Sequence, residues 1–217
     1  MLNPVFRLCT PAGLGLKALA FTLHDLDNRQ RSPALENRLQ RLRLAFDADH
    51  SAVQQQGFDE LRYRLGRSPQ RFPVSPRTLL EQFRRNGGLR AISPLVDLYN
   101  QWSLNSGLSI GAHDLERIEL PVDLAISQGG EPFQDLGSNA PSPLPAGEYA
   151  YFDGQGRVLC RIDYRQAAFS AVSGATRNVL LIVQGHSATA AAYLQQVAEA
   201  LKADLLHCCA SGVSRVA

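Results

Sequence analysis

The hydrophobic spacing of this chain passes from helical to short alternating segments between Gly107 and Ile118, and that change restricts the architecture more than any single motif. Before it, apolar residues recur at helical spacing. Ser32 followed by Pro33 reads as an N-cap with proline at the first helical position, and Leu35, Leu39, Leu42 and Phe46 continue the stripe. Ser75-Pro76 repeats the signal ahead of Leu79, Leu80 and Phe83, and this second helix is expected to end near Asn86-Gly87-Gly88. A third helix is predicted from Pro94 to about Ser106, with Leu95, Leu98, Trp102 and Leu104 on its apolar face and Gly107 as its C-cap. Ser109 to Asp114 (SIGAHD) reads as a polar turn. Afterwards the pattern shortens to alternating segments at 118–126, 148–153, 157–162 and 178–183, separated by turns at Gly129-Gly130, Pro141 to Gly147 and Asp153-Gly154. An apolar run from Leu14 to Leu23 predicts an opening strand, and Ala188 to Leu206 predicts a closing helix packed on the sheet. Helices first, strands later and a final helix define an α+β class.

With 217 residues, 45% of them hydrophobic, the chain can bury a sizeable core. Twenty-two Lys and Arg against 20 Asp and Glu leave a formal charge of +2, which excludes a blanket of positive charge but permits a local basic patch. No stretch approaches the ~20 apolar residues of a bilayer span. Pro11, Gly13 and Gly15 break the first apolar segment, so no secretory leader is expected and the expected location is the cytoplasm. Cys9, Cys160, Cys208 and Cys209 are too few and too irregular for a disulfide framework, and reduced thiols are expected.

Three short signals for chemistry are incomplete. Asn178 to Ser187 (NVLLIVQGHS) has the strand-turn-helix form of a nucleophile elbow, which makes Ser187 a candidate esterase nucleophile. Thr189 stands where the elbow needs glycine, and only Glu199, Asp204 and His207 follow as partners, so helix capping by Ser187 is the alternative. His207-Cys208-Cys209 lacks the second ligand pair of a zinc site, and no metal is expected. Gly13-Leu14-Gly15 lacks the rest of a dinucleotide fingerprint, and no cofactor is expected.

The segment from Asn86 to Ile118 carries more information. In order, Gly88-Leu89-Arg90, Val96-Asp97, Asn100, Gly107, Ala112-His113-Asp114 and Arg117-Ile118 resemble the module made by the third and fourth domains of the bacterial phenylalanyl-tRNA synthetase beta subunit. The likeness continues through Gly129-Gly130-Glu131, Gly147 to Asp153 and Thr176 to Leu180. The resemblance implies helices packed on a mixed, mostly antiparallel sheet, in a single domain over 1–217. Within it, 1–74 forms the N-terminal part, 75–206 the best-matching core and 207–217 a tail that frays from Ser211. It also implies the family's editing activity, hydrolysis of the ester of tyrosine wrongly attached to the tRNA for phenylalanine. Two positions depart from the family pattern: a histidine beside the substrate falls on Gly111, and the glutamate that reads the tyrosine hydroxyl falls in Arg161 to Ser170 near alanine. A different aminoacyl group is therefore expected.

On this reading His113 and Asp114 are the candidate catalytic pair, a histidine titrating near neutrality and a carboxylate to orient its ring. Asn100, Gly111, Ala112, Arg161, Tyr164, Arg165 and Gln166 are the expected pocket. Arg62, Arg64, Arg67, Arg71, Arg84 and Arg85, with Tyr63 or Phe72 stacking on a terminal base, form the expected contact with tRNA phosphates. The expected partner is the aminoacylated 3′ end of tRNA, with neither DNA nor a membrane. A module with the same fold that binds RNA or a small amino-acid-like ligand without turnover is the alternative.

Overall fold

A computed structural model describes residues 4–211. The chain runs β1 (Phe6–Leu8), a 3-10 turn, β2 (Lys17–Leu23), α1 (Pro33–Leu44), α2 (Ala48–Arg64), α3 (Ser75–Asn86), α4 (Pro94–Ser106) and β3 (Ser109–Asp114). It continues through β4 (Val122–Ile126), β5 (Pro132–Phe133), β6 (Ser142–Pro143), β7 (Tyr149–Phe152), β8 (Val158–Arg161), β9 (Arg165–Gln166), β10 (Val179–Gly185) and α5 (Ala191–Cys209). The expected α+β class is what forms. One sheet has the order β1-β4-β7-β8-β9, a second has β2-β10-β3, and β5 pairs with β6. Only β1 with β4 is parallel among the described pairs, so the sheets are mixed and mostly antiparallel.

The helix signals work as the spacing implies. Ser32 Oγ accepts from the Leu35 N–H at 3.1 Å, and Pro33 occupies the first turn of α1. Gly107 ends α4 at φ 68°, and a Cβ there would stand 2.6 Å from the Ser51 carbonyl oxygen, so both conformation and space require glycine. Around Ser75 the assignment shifts by one residue. Val74 is the N-cap of α3, and the Ser75 hydroxyl turns away to Ser109 Oγ at 3.0 Å.

Strand β10 is the centre of the molecule. Its residues are buried on both faces: Val179, Leu181 and Val183 meet α1, α4 and α5, whereas Leu180 and Ile182 meet β4, β7, β8 and Phe58 of α2. Each such side chain contributes about 1.5–3 kcal/mol by burial. Cys208 and Cys209 pack in the first of these cores. Ser211 is tied to Asp25 through its N–H and its hydroxyl. The rest of the expected frayed tail, 212–217, lies outside the described residues.

One expectation fails, and one helix is not anticipated. Ser109 to Asp114 is not a turn but the edge strand β3, paired along its length with β10. Helix α2 has no apolar stripe to announce it, because its buried positions include Ser51, Gln55, Gly57 and Arg62. Asp47 caps it through the N–H groups of Asp49 and His50.

Candidate active site

Strand alternation divides the side chains of β3 between two surroundings. Ile110 and Ala112 contribute to the helix-side core, whereas Ser109, Gly111 and His113 line a pocket between β3, the start of α3, α4 and the turn joining β8 to β9. The space measures about 180 Å³. Tyr99 and Asn100 border it from α4, Tyr151 from β7, and Asp163 to Gln166 from the turn and β9. A groove lined by Pro73, Thr78, Leu79, Glu81, Tyr164 and Arg165 shares Ser75 and Asn100 with the pocket and continues it along α3.

Beneath the pocket lies a sealed polar network. Arg62, 1% exposed, donates to Phe72 O at 2.9 Å, Ile162 O at 2.6 Å and Asp163 Oδ1 at 2.6 Å, and also to the Tyr149 hydroxyl. Asp163 Oδ2 accepts from that hydroxyl and from Gln184 Nε2, whose Oε1 in turn accepts from the Tyr151 hydroxyl. Burial opposes the Arg62 charge, but Asp163 and Tyr149 outweigh it and hold its pKa above the ordinary value. Burial likewise pushes the Tyr149 and Tyr151 hydroxyls well up, so both remain donors. The Asp163 carboxylate is thus paired with Arg62 and accepts from three donors.

This network holds a strained turn. Ile162 and Asp163 have φ of 41° and 45°, and the Tyr164 N–H closes onto Arg161 O at 2.9 Å. Successive left-handed residues mark a type I′ turn, where Asn and Gly are usual. An L-residue there costs about 1–2 kcal/mol. Arg62 grips both strained residues, one through its carbonyl and one through its carboxylate.

The pocket wall is built differently. His113 is 2% exposed, its Nδ1 lies 3.0 Å from Ser170 Oγ, and burial lowers its pKa to about 4. Gln166 Nε2 donates to Ala112 O at 2.7 Å. The imidazole Nε2, the Asn100 amide and the Tyr99 hydroxyl have no hydrogen-bond partner among the described residues, and none is a sealed polar atom. All three residues line the pocket, so these groups remain available to a ligand. At Gly111 a Cβ would meet nothing within 4 Å, which makes this glycine a source of pocket space.

Several sequence-derived assignments change. Asp114 does not orient His113: its Oδ1 accepts the Glu116 N–H and its Oδ2 the Thr176 hydroxyl, and the atom beside the ring belongs to Ser170. Ala112 faces the helix-side core and serves the site only through its carbonyl. Arg161 points away from the pocket and forks onto Glu148 at 2.6 and 2.9 Å, where Arg67 also binds. Burial works against the Glu148 charge, but the two arginines prevail and lower its pKa. Arg62 is thus an internal clamp and half-buried Arg67 a clamp on buried Glu148, whereas Arg64, Arg71, Arg84 and Arg85 of the expected phosphate contacts are exposed. Asn100, Gly111, Tyr164, Arg165 and Gln166 do line the pocket. Arg165 stacks over the Tyr164 ring at 4.4 Å, and its Nε lies 3.4 Å from Asp135.

The strand-turn-helix at Ser187 gives no triad. Ser187 is exposed and does not cap α5, whose N-cap is Ala190. Asp204 is held by Arg38 and Trp102, and His207 sits more than about 20 Å along α5. His186 is a wedge against α2, bonded to Gln54 O at 2.6 Å and packed on Phe58. Sequence reasoning missed Ser170, Tyr99 and Asp163, which lie in a loop, on a helix and at a turn without a shared motif.

The site is thus a pocket in an α+β fold, with neutral hydrogen-bonding groups from β3 and α4 beside the ion-paired Asp163 and Arg165. The model of the B3/4 domain family matches residues 59–203, and the chain belongs to that family. This agrees with the resemblance read from Gly88 to Ile118. Among solved structures, the chain is similar to an N-terminal fragment of the phenylalanyl-tRNA synthetase beta-subunit from Pyrococcus horikoshii, at 17% identity and a TM-score of 0.43. That likeness covers 53% of this chain and 41% of the other. No curated protein matches it.

Proposed function

We propose that the pocket takes the aminoacyl group of an aminoacylated tRNA and promotes hydrolysis of its ester. The observation that carries this reading is the set of unpartnered groups from His113, Asn100 and Tyr99 around a space whose floor is already hydrogen-bonded within itself. A preformed site of this kind fixes an activated ester and a water without further charge, because orientation and neutral donors supply much of the catalysis. B3/4 membership and the resemblance to an editing module support tRNA as the carrier. The groove along α3 leads from the pocket toward Arg84 and Arg85 at the far end of that helix, about 15 Å away. The location that fits this reading is the cytoplasm, where charged tRNA is found.

Single-turnover deacylation of a panel of mischarged tRNAs tests the proposal. Release of amino acid above the uncatalysed rate on one or more members is expected. A protein that binds tRNA and releases nothing would replace it with the non-catalytic binding module, the reading that Gly111 favours by standing where the family places a histidine.

Two variants test the geometry. Gly111→Leu should fold normally, since its Cβ enters open space, while weakening deacylation at least about tenfold by filling the pocket. Unchanged deacylation with an unchanged melting temperature would place the substrate elsewhere. Arg84→Ala with Arg85→Ala should weaken tRNA binding and lower the slope of log affinity against log salt by about 1.5 to 2. An unaltered slope would remove α3 from the tRNA path.

A further inference from the structure

The contacts of Gln166 and Ser170 decide what His113 can do. The Gln166 atom that lies 2.7 Å from the Ala112 carbonyl oxygen is its nitrogen, because two oxygens cannot share a hydrogen bond at that distance. The same nitrogen lies 3.5 Å from His113 Nδ1 and has a second N–H but no lone pair to offer. Ser170 Oγ, 3.0 Å from Nδ1, has no other partner among the described residues and is free to donate to it. Ser170 is fully buried and its O–H has no other acceptor among the described residues, and the Gln166 N–H offers Nδ1 no lone pair, so both groups favour Nδ1 as the acceptor. In a neutral imidazole the proton then resides on Nε2.

We infer that Gln166 and Ser170 are positioning residues that hold His113 as the Nε2–H tautomer, so that it offers the bound ester a hydrogen-bond donor and not a base. The inference rests on the ester-hydrolysis reading for its ligand, but not for its tautomer. In the reaction, the water oxygen bonds to the carbonyl carbon, the bond from that carbon to the ribose oxygen breaks, and the ribose oxygen receives a proton from the water. Negative charge gathers on the carbonyl oxygen before the bond breaks, and a fixed N–H directed there lowers the barrier. His113 has the same number of protons before and after.

The surroundings keep the ring neutral. Tyr99 from α4, Tyr151 from β7 and Cys160 from β8 line the pocket with it, and burial raises the pKa of all three, so they remain uncharged. Asp163 is paired with Arg62, and Arg165 lies beside Asp135. Burial of the ring itself lowers its pKa to about 4. Deacylation should accordingly show no inflection from His113 near its ordinary value of about 6.5.

The test is a long-range proton-nitrogen NMR spectrum of full-length protein labelled with nitrogen-15 in histidine, the His113 signals being those missing from His113→Gln. The Nε2–H pattern at neutral pH is expected, and an Nδ1–H pattern or a protonated ring would overturn the inference. Gln166→Glu puts an acceptor beside Nδ1 and should shift the ring toward Nδ1–H, with kcat for deacylation reduced at least tenfold and KM changed less than twofold. Gln166→Leu removes one donor without adding charge and should give a mixture of tautomers. If neither variant altered the pattern, Gln166 would have no positioning role. Absence of deacylation by the wild-type protein would remove the ester as ligand, while the spectrum would still decide the tautomer.

Discussion

Arg62→Ala is expected to destabilise the protein by about 3–5 kcal/mol, the usual range for removing one member of a buried ion pair. The loss combines an orphaned Asp163 carboxylate, unpaired carbonyls at Phe72 and Ile162, and release of the strained turn at Ile162 and Asp163. Against a typical domain stability of about 5–15 kcal/mol it leaves little reserve. Arg62→Lys should recover only part, because a single ammonium cannot serve four acceptors spread around a guanidinium. Joining Arg62→Met to Asp163→Asn removes both charges while keeping at 163 a residue that tolerates positive φ, and it should cost less than the two single changes together. Urea midpoints of the wild type, Arg62→Ala, Arg62→Lys, Arg62→Met, Asp163→Asn and the double variant measure these effects. If Arg62→Ala moved the midpoint no more than the exposed change Arg84→Ala, the clamp would not be a stabilising element.

The second large effect follows acid. His113 is held neutral by burial, with a pKa lowered to about 4, whereas in the unfolded chain it titrates near its ordinary value of about 6.5. Between those values the unfolded state binds a proton that the folded state refuses, so stability falls as pH falls. The contribution is fully present above about pH 6.5 and is lost on descending to about pH 4, by about 3 kcal/mol. Glu148, whose pKa is lowered, gives the same sign at the acid end, which is why the comparison uses His113→Gln rather than the wild-type profile alone. Stability measured from pH 7 down to about pH 4 should drop more steeply for the wild-type protein than for the variant. Parallel curves would mean that the ring is charged or open to water.

Legibility in the sequence followed local encoding. Proline at a first helical turn and glycine in a left-handed C-cap are requirements of the residue itself, so α1, α3 and α4 were readable to within a residue or two. Strand β3 was misread because its alternation includes Ser109, Gly111 and His113, polar or bare residues that ordinarily suggest a turn. Ser109 and His113 are buried because the far face of that strand looks into a pocket. Helix α2 was unreadable for a related reason: its inner face carries Arg62, which is hydrophilic until Asp163, 101 residues later in the chain, closes on it. The same distance misled the reading of the basic segment, since Arg62 and Arg67 have the composition of a phosphate-binding surface and the positions of clamps on buried carboxylates.

The sequence by itself determined the α+β class, helices α1, α3, α4 and α5, the family, and the grouping of Asn100, Gly111, Tyr164, Arg165 and Gln166 at one site, because these depend on local propensity and on an ordered set of short motifs. Only the tertiary structure decided which arginines face water, that Ser170 and not Asp114 stands beside His113, and that the histidine ring is uncharged. Each of those is an electrostatic property. Charge state and pairing depend on what surrounds a group in space, and burial and partners are absent from a list of residue types.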